Sequence, residues 1–274
     1  MVLVGFVVRW GSEGAASTTQ RIMDFLRSEG HEAVVIKSPS DIVEGMSFIV
    51  SNGGDGTVIS TARMVVSRGV DVPIFPVNSG RLGFLTSVDA SEAVPEVKKI
   101  LEGYFYAESF NVLDAFVDGE LVGFAVNEVV LSGEQGKLMN CMLSLDGVCI
   151  ANVRSDKVIV ASPLGSTAYN LSAGGSIVHP RLKAISLSFV AQFYGSRVPP
   201  MVLPVETTVS LKNTGGHPAY VITDGQLVDE EKRVDNDQTL TVKSSEKSFK
   251  LIYTRWNFYE RLHRKLLNSI CEEW

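Results

Sequence analysis

The chain has few cysteines and histidines, the residues that identify disulfide-rich and zinc-binding proteins. Its 274 residues include three cysteines, at positions 141, 149 and 271, and four histidines, none of them closely spaced. Disulfide frameworks and zinc sites both need such spacings, so neither is predicted. This cysteine usage is typical of a protein that works in the reducing cytoplasm.

Excess positive charge and long apolar runs are also missing. The formal net charge is −6, and the lysines and arginines are scattered along the chain. This argues against a nucleic-acid partner and against a polybasic membrane patch. No apolar run approaches the roughly 18 residues of a membrane span, and the chain opens directly into a strand-like run, so no signal peptide is predicted. We expect a cytoplasmic protein with neither nucleic-acid nor membrane partners.

The first part of the chain alternates predicted strands and helices, with a small-residue loop at residues 11–16. The strands are predicted at residues 2–8, 33–36, 46–50 and 73–77, and the helices at 18–29, 57–68 and 91–101. Alternation of this kind indicates a parallel sheet covered by helices. The predicted fold class is therefore α/β, with a Rossmann-like domain over residues 1–105.

The sequence pattern changes after this domain. Asp118-Gly119 and Asp146-Gly147 each stand between short alternating runs, which predicts two β-hairpins. Alternation continues at residues 208–211, 219–222, 239–242 and 248–253. We expect a strand-rich domain over residues 106–255 and a closing helix within residues 256–274, which joins the first domain. Apolar residues four apart place that helix at 257–270: Phe258, Leu262, Leu266 and Ile270.

A glycine-rich loop, Ser51-Asn52-Gly53-Gly54-Asp55-Gly56-Thr57, lies between a predicted strand and a predicted helix. The amides of such a turn and of the helix start can cradle an anion. A carboxylate inside a phosphate cradle is unfavourable unless it faces a hydroxyl that attacks the phosphate, which is the role this pattern suggests for Asp55. The alternative is a plain strand–turn–helix corner, with Asp55 or Thr57 capping the helix.

Two further groups of polar residues lie in the strand-rich part. Asn127-Glu128 ends the run 121–126, before a stretch rich in glycine and polar residues, and an amide beside a carboxylate suits a pair of vicinal hydroxyls. A polar strand end is the alternative. The segment 162–175, after a strand at 158–161, is rich in small residues and contains Tyr169, whose ring could stack on a planar heterocycle. Asp224-Gly225-Gln226 is either a third polar group or an ordinary hairpin turn.

Together these segments resemble the NAD kinase family. Residues 53–57 are similar to its glycine–aspartate motif, residues 78–85 to its substrate-cleft loop, and Asn127-Glu128 to its Asn-Glu pair. The glycine–aspartate motif also occurs in diacylglycerol, sphingosine and phosphofructo-kinases. The segment 165–175 does not, so it decides the family.

The resemblance implies an enzyme that moves the terminal phosphate of ATP to the 2′-hydroxyl of the adenosine ribose of NAD. Asp55 would orient that hydroxyl and accept its proton. A divalent metal ion, Mg²⁺, would be held mostly by the phosphates of the donor, with no metal ligand assigned in the chain. A homodimer or homotetramer is implied, in which Arg154 and Asp156 reach the nucleotide of a neighbouring subunit.

The other site residues follow from the same resemblance. Phosphates would lie against Gly53, Gly54 and Thr57. NAD would contact Gly56, Phe84, Asn127, Glu128, Lys137, Arg154, Asp156, Thr167, Ala168, Tyr169, Asn170, Leu171, Ser172 and Gln226. The chain departs from the family pattern at Leu164, at Ser176 and over residues 190–200, so no function is assigned to Tyr194 or Arg197.

Two rival functions stay open at this point. A lipid kinase would share the glycine–aspartate loop but would leave the segment 165–175 without a role. A non-catalytic NAD-binding module would share the nucleotide contacts without the reaction. The chain has no Gly-Lys-Ser/Thr phosphate loop, so its sequence offers no obvious lysine as a phosphate clamp.

Overall fold

The computed structural model describes residues 1–9, 11–80, 83–134, 137–228 and 233–267. The chain divides into two compact units, which we call unit 1 (residues 1–110 with 248–274) and unit 2 (residues 111–247). The sequence places these boundaries at 105 and 255. Two long strands pass through them, because each begins in one unit and ends in the other.

Unit 1 contains the predicted parallel sheet. Strand β1 pairs in parallel with β2 and β3, β3 pairs in parallel with β4, and β4 pairs in parallel with β5. The α/β prediction is confirmed. The strands are β1 (Leu3–Val8), β2 (Glu32–Val35), β3 (Met46–Gly53), β4 (Ile74–Asn78) and β5 (Val88–Asp89), and the helices are α1 (Glu13–Ser28), α2 (Asp55–Arg68) and α3 (Ala93–Leu101).

The first helix begins earlier than predicted. Ser12 is its N-cap, and the Ser12 side chain accepts a hydrogen bond from the N–H of Ala15 at 3.3 Å. The loop predicted at residues 11–16 is therefore wrong beyond Ser12. Ala15, in the first turn of α1, is fully buried, and its small side chain allows this close packing.

Unit 2 is built of antiparallel strands, as predicted. One sheet has the order β13-β12-β11-β8-β15-β16, and β10, β9, β14 and β17 follow one another in a second set. Buried apolar residues from both sets form one core, among them Leu131, Leu143 and Leu211. The strands are β6 (Tyr106–Val117), β7 (Glu120–Ala125), β8 (Glu128–Gly133), β9 (Met139–Leu145), β10 (Val148–Ser155), β11 (Lys157–Ala161), β12 (Ala184–Val190), β13 (Met201–Pro204), β14 (Val209–Asn213), β15 (Ala219–Thr223), β16 (Gln226–Leu227) and β17 (Thr239–Tyr253).

The hairpin predictions from Asp-Gly pairs are confirmed. Asp118 and Asp146 have φ angles of 47° and 48°, and each is followed by a glycine with positive φ. This is the backbone geometry that two-residue hairpins need. The strands predicted at 239–242 and 248–253 are a single strand, β17, whose exposed polar middle interrupts the apolar pattern.

The C-terminal helix begins where predicted. The Asn257 side chain accepts hydrogen bonds from the N–H groups of Tyr259 and Glu260, which caps α5 (Phe258–Leu262). A π-helical turn, His263–Leu267, continues it, and Ile270 lies outside the described residues. No helix in the described part of the chain is long and apolar enough to cross a membrane.

Candidate active site

The glycine loop of unit 1 lies at the carboxyl end of β3, where ligands bind in open parallel sheets. Helix α2 starts at Asp55, two residues before the predicted position, and its N-cap is Gly54, which has no side chain to cap with. The first N–H groups of α2 have no partner within the helix and point to its N-terminal end. This strand–loop–helix geometry is the one that the anion-cradle prediction requires, and the cradle itself stays a prediction.

Asp55 does not cap α2. One carboxylate oxygen, Oδ2, accepts the N–H of Phe84 at 2.8 Å, and the other, Oδ1, accepts the N–H of Leu85 at 2.9 Å. The proposed cap by Asp55 is therefore wrong. The two bonds fix the plane of the carboxylate, and each oxygen keeps a second lone pair for a ligand.

The loop of residues 78–85 holds this arrangement together, although residues 81 and 82 lie outside the described part. The Ser79 N–H donates to the Gly53 carbonyl at 2.9 Å, and the Ser79 hydroxyl bonds to the Asn52 side chain. Gly83 lies so close to Asp55 that a Cβ at position 83 would be 2.1 Å from Oδ1. Glycine is therefore required at this position for the carboxylate to reach Phe84 and Leu85.

One side chain at this loop was not predicted from sequence. The ammonium of Lys265 lies 3.5 Å from Asp55 Oδ2 and 4.3 Å from the centre of the Phe84 ring. Phe84 itself is buried. Nothing in the local sequence of the C-terminal helix indicates this contact, because the two residues are far apart in the chain.

In unit 2 the Asn-Glu pair lies between two strands. Asn127 follows β7, and Glu128 is the first residue of β8, so the polar loop expected after the pair is wrong: a buried strand follows. Both side chains are buried, at 7% and 5% exposure. Asn127 Oδ1 and Glu128 Oε2 have no hydrogen-bond partner among the described residues. Buried polar atoms of this kind are rare, and a bound ligand is one way in which they are satisfied.

Asp224 positions the pair, which the sequence did not predict. Its carboxylate accepts the N–H of Val126 at 2.9 Å and the N–H of Asn127 at 2.7 Å. Ser162 holds the other side, donating its N–H to the Asn127 carbonyl at 2.7 Å. Asp224 is also the first residue of a left-handed Asp-Gly turn between β15 and β16. That turn was the only sequence signal for it.

The pKa of Glu128 is raised to about 7. Burial is the main cause, because it disfavours the charged form, and the negative charge of Asp224 adds to it. The N–H of Tyr169 donates to the Glu128 carboxylate and lowers the pKa, but by less. Burial thus favours the neutral form of Glu128 in the free protein.

The segment 165–175 packs against the Asn-Glu pair. A Cβ at Gly165 would lie 2.2 Å from the Asn127 carbonyl oxygen, so only glycine fits there. Asn170 is fully buried and donates to the carbonyls of Ser166 and Ser176 at 3.1 Å each, which closes the segment on itself. Tyr169 is partly exposed, and the ammonium of Lys157 lies 5.3 Å from its ring centre.

The remaining predicted contacts belong to unit 2 and are exposed or partly buried. Lys137 is exposed and pairs with Glu134 at 2.8 Å. The guanidinium of Arg154 lies over the Phe193 ring at 4.8 Å. Asp156 and Gln226 are also exposed, as is Ser172, whereas Thr167, Ala168 and Leu171 are partly buried.

The described residues offer no preformed metal site, since no group of three or more histidine, cysteine, aspartate or glutamate side chains is placed to bind an ion. Asp55 fits a resident metal poorly. Its carboxylate already accepts two N–H groups and lies near an ammonium, whose positive charge would repel a metal ion at the same oxygens.

The chain matches the family model for the ATP-NAD kinase N-terminal domain over residues 38–105 and that for the C-terminal domain over residues 126–254. It is 32% identical over 286 residues to an NAD kinase of Magnetococcus marinus, covering 96% of this chain and 92% of the relative. It is 30% identical over 277 residues to an NAD kinase of Thermoplasma acidophilum, covering 97% and 98%.

Solved structures show the same fold. An NAD kinase from Archaeoglobus fulgidus, in complex with ATP, superposes with a TM-score of 0.75 at 29% identity, covering 98% of both chains. A yeast NADH kinase complexed with NADH superposes with a TM-score of 0.85 at 20% identity, covering 98% of this chain and 88% of the other. By its matched family models and its relatives, the chain belongs to the NAD kinase family.

Proposed function

We propose that this NAD kinase transfers the terminal phosphate of ATP to the 2′-hydroxyl of the adenosine ribose of NAD, with Asp55 as the group that orients the hydroxyl and accepts its proton. The hydroxyl oxygen forms the new bond to phosphorus, and the bond between that phosphorus and ADP breaks. The proton goes to Asp55. Most of the rate comes from alignment and charge neutralisation, as is usual for phosphoryl transfer.

The observation that carries this proposal is the fixed carboxylate at the phosphate cradle. Two backbone N–H groups hold Asp55 in one orientation, yet 25% of its side chain remains exposed. A helix cap would bond to the first N–H groups of α2, whereas this carboxylate bonds to the neighbouring loop. Rigid orientation combined with access suits a group that must meet a substrate hydroxyl.

The acceptor contacts proposed for unit 2 rest on the unpartnered atoms. A ribose with two neighbouring hydroxyls could donate one hydrogen bond to Glu128 Oε2 and one to Asn127 Oδ1, both of which lack a partner among the described residues. The ring of Tyr169 and the backbone of Thr167 and Ala168 would face the adenine. Asn170 would act from within, by holding the segment 165–175 in shape.

Gly53, Gly54, Gly56 and Thr57 would offer backbone and hydroxyl donors to the phosphates. The divalent cation would arrive on the ATP phosphates, because the Asp55 carboxylate is already surrounded by two N–H donors and an ammonium. When bound, it would withdraw charge from the transferring phosphoryl group. We also place the protein in the reducing cytoplasm, in line with the free thiols of Cys141 and Cys149.

We further propose a homo-oligomer, in which the exposed side chains of Arg154 and Asp156 reach the nucleotide of a neighbour. Both lie on or beside β10, which ends the strand order of its sheet. The Arg154 carbonyl on this strand already accepts the N–H of Phe193 at 2.8 Å, so a second copy would pair with the part of the edge before Arg154. Light scattering at micromolar concentration should give a dimer or tetramer. A fully active monomer would contradict this part.

The deciding experiment is incubation with NAD, ATP and Mg²⁺, followed by an NADP-specific dehydrogenase readout. NADP should form only when all three are present. NAD binding without NADP formation would favour the non-catalytic module. The lipid-kinase alternative is not favoured, because both matched models are NAD kinase domains.

A further inference from the structure

The side chain of Lys265 reaches the glycine loop from the π-helical turn of unit 1. Its ammonium is 3.5 Å from Asp55 Oδ2 and 4.3 Å from the Phe84 ring centre, and 34% of the side chain is exposed. It is thus paired with a carboxylate and an aromatic face at once. A surface ion pair alone gains little free energy and seldom fixes a lysine side chain. The position of this ammonium, between a carboxylate and an aromatic ring, therefore calls for an explanation.

The helix that carries Lys265 is anchored without it. Arg261, one turn earlier, is 8% exposed and donates from Nη2 to the Ser87 carbonyl at 2.8 Å. Phe258 is 4% exposed, and Asn257 caps the helix. These contacts fix the direction in which Lys265 leaves the helix. Attachment of the helix therefore does not explain the position of the ammonium.

The charge requirement of the reaction does explain it. Phosphoryl transfer brings several negative charges to a loop whose own charged group is the Asp55 carboxylate, and the glycine–aspartate loop contains no lysine of its own. Fixed cations or metals at the transferring group are the usual answer in enzymes of this chemistry. Lys265 supplies such a cation from the far end of the chain.

We propose that Lys265 binds the transferring phosphoryl group of ATP. In the free protein its ammonium pairs with Asp55 Oδ2. When ATP is bound it moves to an oxygen of the terminal phosphate, which leaves Oδ2 free to accept the hydroxyl proton. The ammonium keeps its three protons throughout, the proton of the hydroxyl goes to Asp55, and ADP leaves with the electrons of the broken bond. This inference rests on the proposed function of Asp55.

The test compares three variants with the wild-type enzyme. Lys265→Met keeps the length of the side chain and removes its charge, so kcat should fall about 10²–10³-fold, the usual loss for one fixed donor at a developing charge. ATP affinity, measured by calorimetry with the catalytic step blocked by omitting NAD, should weaken about tenfold or more. The KM for NAD should stay within about threefold, since the ammonium contacts the donor.

Lys265→Arg and Arg264→Met separate charge from structure. Arginine keeps the charge and should recover at least about tenfold of the lost kcat, although its geometry differs. Arg264 is the next residue back on the same helix and pairs with Glu260 at 3.9 Å. Arg264→Met loses the same charge elsewhere and should keep kcat within about threefold of wild type.

Three results would overturn the inference. The first is Lys265→Met with wild-type kcat. The second is equal loss in Lys265→Met and Lys265→Arg together with an equal fall in melting temperature, which would make the role structural. The third is a loss shared with Arg264→Met. Failure of the proposed function is distinct from all three, because the wild-type enzyme would then form no NADP, or Asp55→Asn would be fully active.

Discussion

Asp55 and Glu128 are both carboxylates at predicted contacts, yet their surroundings are opposite. Asp55 is partly exposed and meets two N–H groups and an ammonium. Glu128 is buried beside the carboxylate of Asp224, with one oxygen unpartnered among the described residues. The protein therefore gives each Asp55 oxygen a hydrogen-bond donor but leaves Glu128 Oε2 without one among the described residues. This contrast fits the proposed roles of Asp55 in the reaction and of Glu128 in recognition.

The largest expected effect comes from removing the charge of Asp55. Asp55→Asn should lower kcat about 10²–10⁴-fold, because the amide cannot accept a proton as a general base does. NAD affinity should change far less. The measurement is kcat at saturating ATP, NAD and Mg²⁺, together with NAD binding on the same preparation.

This variant needs a stability control, since its amide NH₂ would oppose the N–H of Phe84 or Leu85. Asp71→Asn is the matched change at an exposed carboxylate, paired with Lys250 at 2.5 Å. It should leave kcat unaltered. Activity of folded Asp55→Asn within threefold of wild type would remove Asp55 from the centre of the mechanism.

The next effect concerns the free energy of unfolding as a function of pH. Glu128 has a pKa of about 7 in the folded protein, above the roughly 4.3 of an unfolded chain. Its protonation therefore stabilises the fold fully below pH 4.3, and this stabilisation is lost as pH rises through 7. Glu128→Gln imitates the protonated form. Its free energy of unfolding, relative to that of the wild type, should therefore rise by up to about 3 kcal/mol between pH 5 and pH 8.5. Urea unfolding of both proteins at several pH values measures the gain, and an offset independent of pH would refute it.

Gly83→Ala sharpens the comparison from the Asp55 side. The new methyl group would lie 2.1 Å from Asp55 Oδ1, so the carboxylate must move. A displacement of about 1 Å at a reacting group can cost about 10²-fold in rate, and kcat should fall by this order. Gly80→Ala is the control, because among the described residues its methyl group would meet only Arg9 Nη1, at 3.5 Å. Equal kcat for the two variants would show that the position of Asp55 is not critical.

The smallest expected effect is on recognition. In an assay above pH 7, where the Glu128 carboxylate is charged, Glu128→Ala should lower kcat/KM for NAD about 10–150-fold, which corresponds to roughly 1.5–3 kcal/mol for a hydrogen bond to a charged group. Glu246→Ala, at an exposed glutamate of the same unit, should be neutral. Steady-state kinetics with varied NAD decide the matter, and an unchanged kcat/KM would exclude Glu128 from the ribose site.

The parts of the molecule that sequence predicted are those with local signals. The glycine loop and the Asp-Gly hairpins each specify their own backbone, and residues 118, 119, 146 and 147 all have the positive φ that their types favour. The family prediction is likewise confirmed. The start of α1 was missed because Gly14, Ala15 and Ala16 resemble a loop, although Ser12 was a usable cap signal.

The missed site features are tertiary. The bonds of Asp224 to the N–H groups of Val126 and Asn127 join residues almost 100 positions apart. Neither these bonds nor the contact of Lys265 with Asp55 has a local pattern, since each depends on how strands and helices stack. Sequence therefore identifies which loops matter but not which distant side chains complete them.

Unit 1 consists of two stretches of chain, with all of unit 2 encoded between them. The last stretch supplies the strand segment that pairs Leu251 with Ile74 in β4 and the helix that brings Lys265 to Asp55. A ribosome makes this stretch after unit 2, and domains generally fold in the order in which they are made. Residues 111–247 can thus fold before unit 1, with its glycine loop, has gained the last part of β17 and the C-terminal helix. A chain truncated just after unit 2 would carry every motif that identifies the family and still lack the cation beside Asp55.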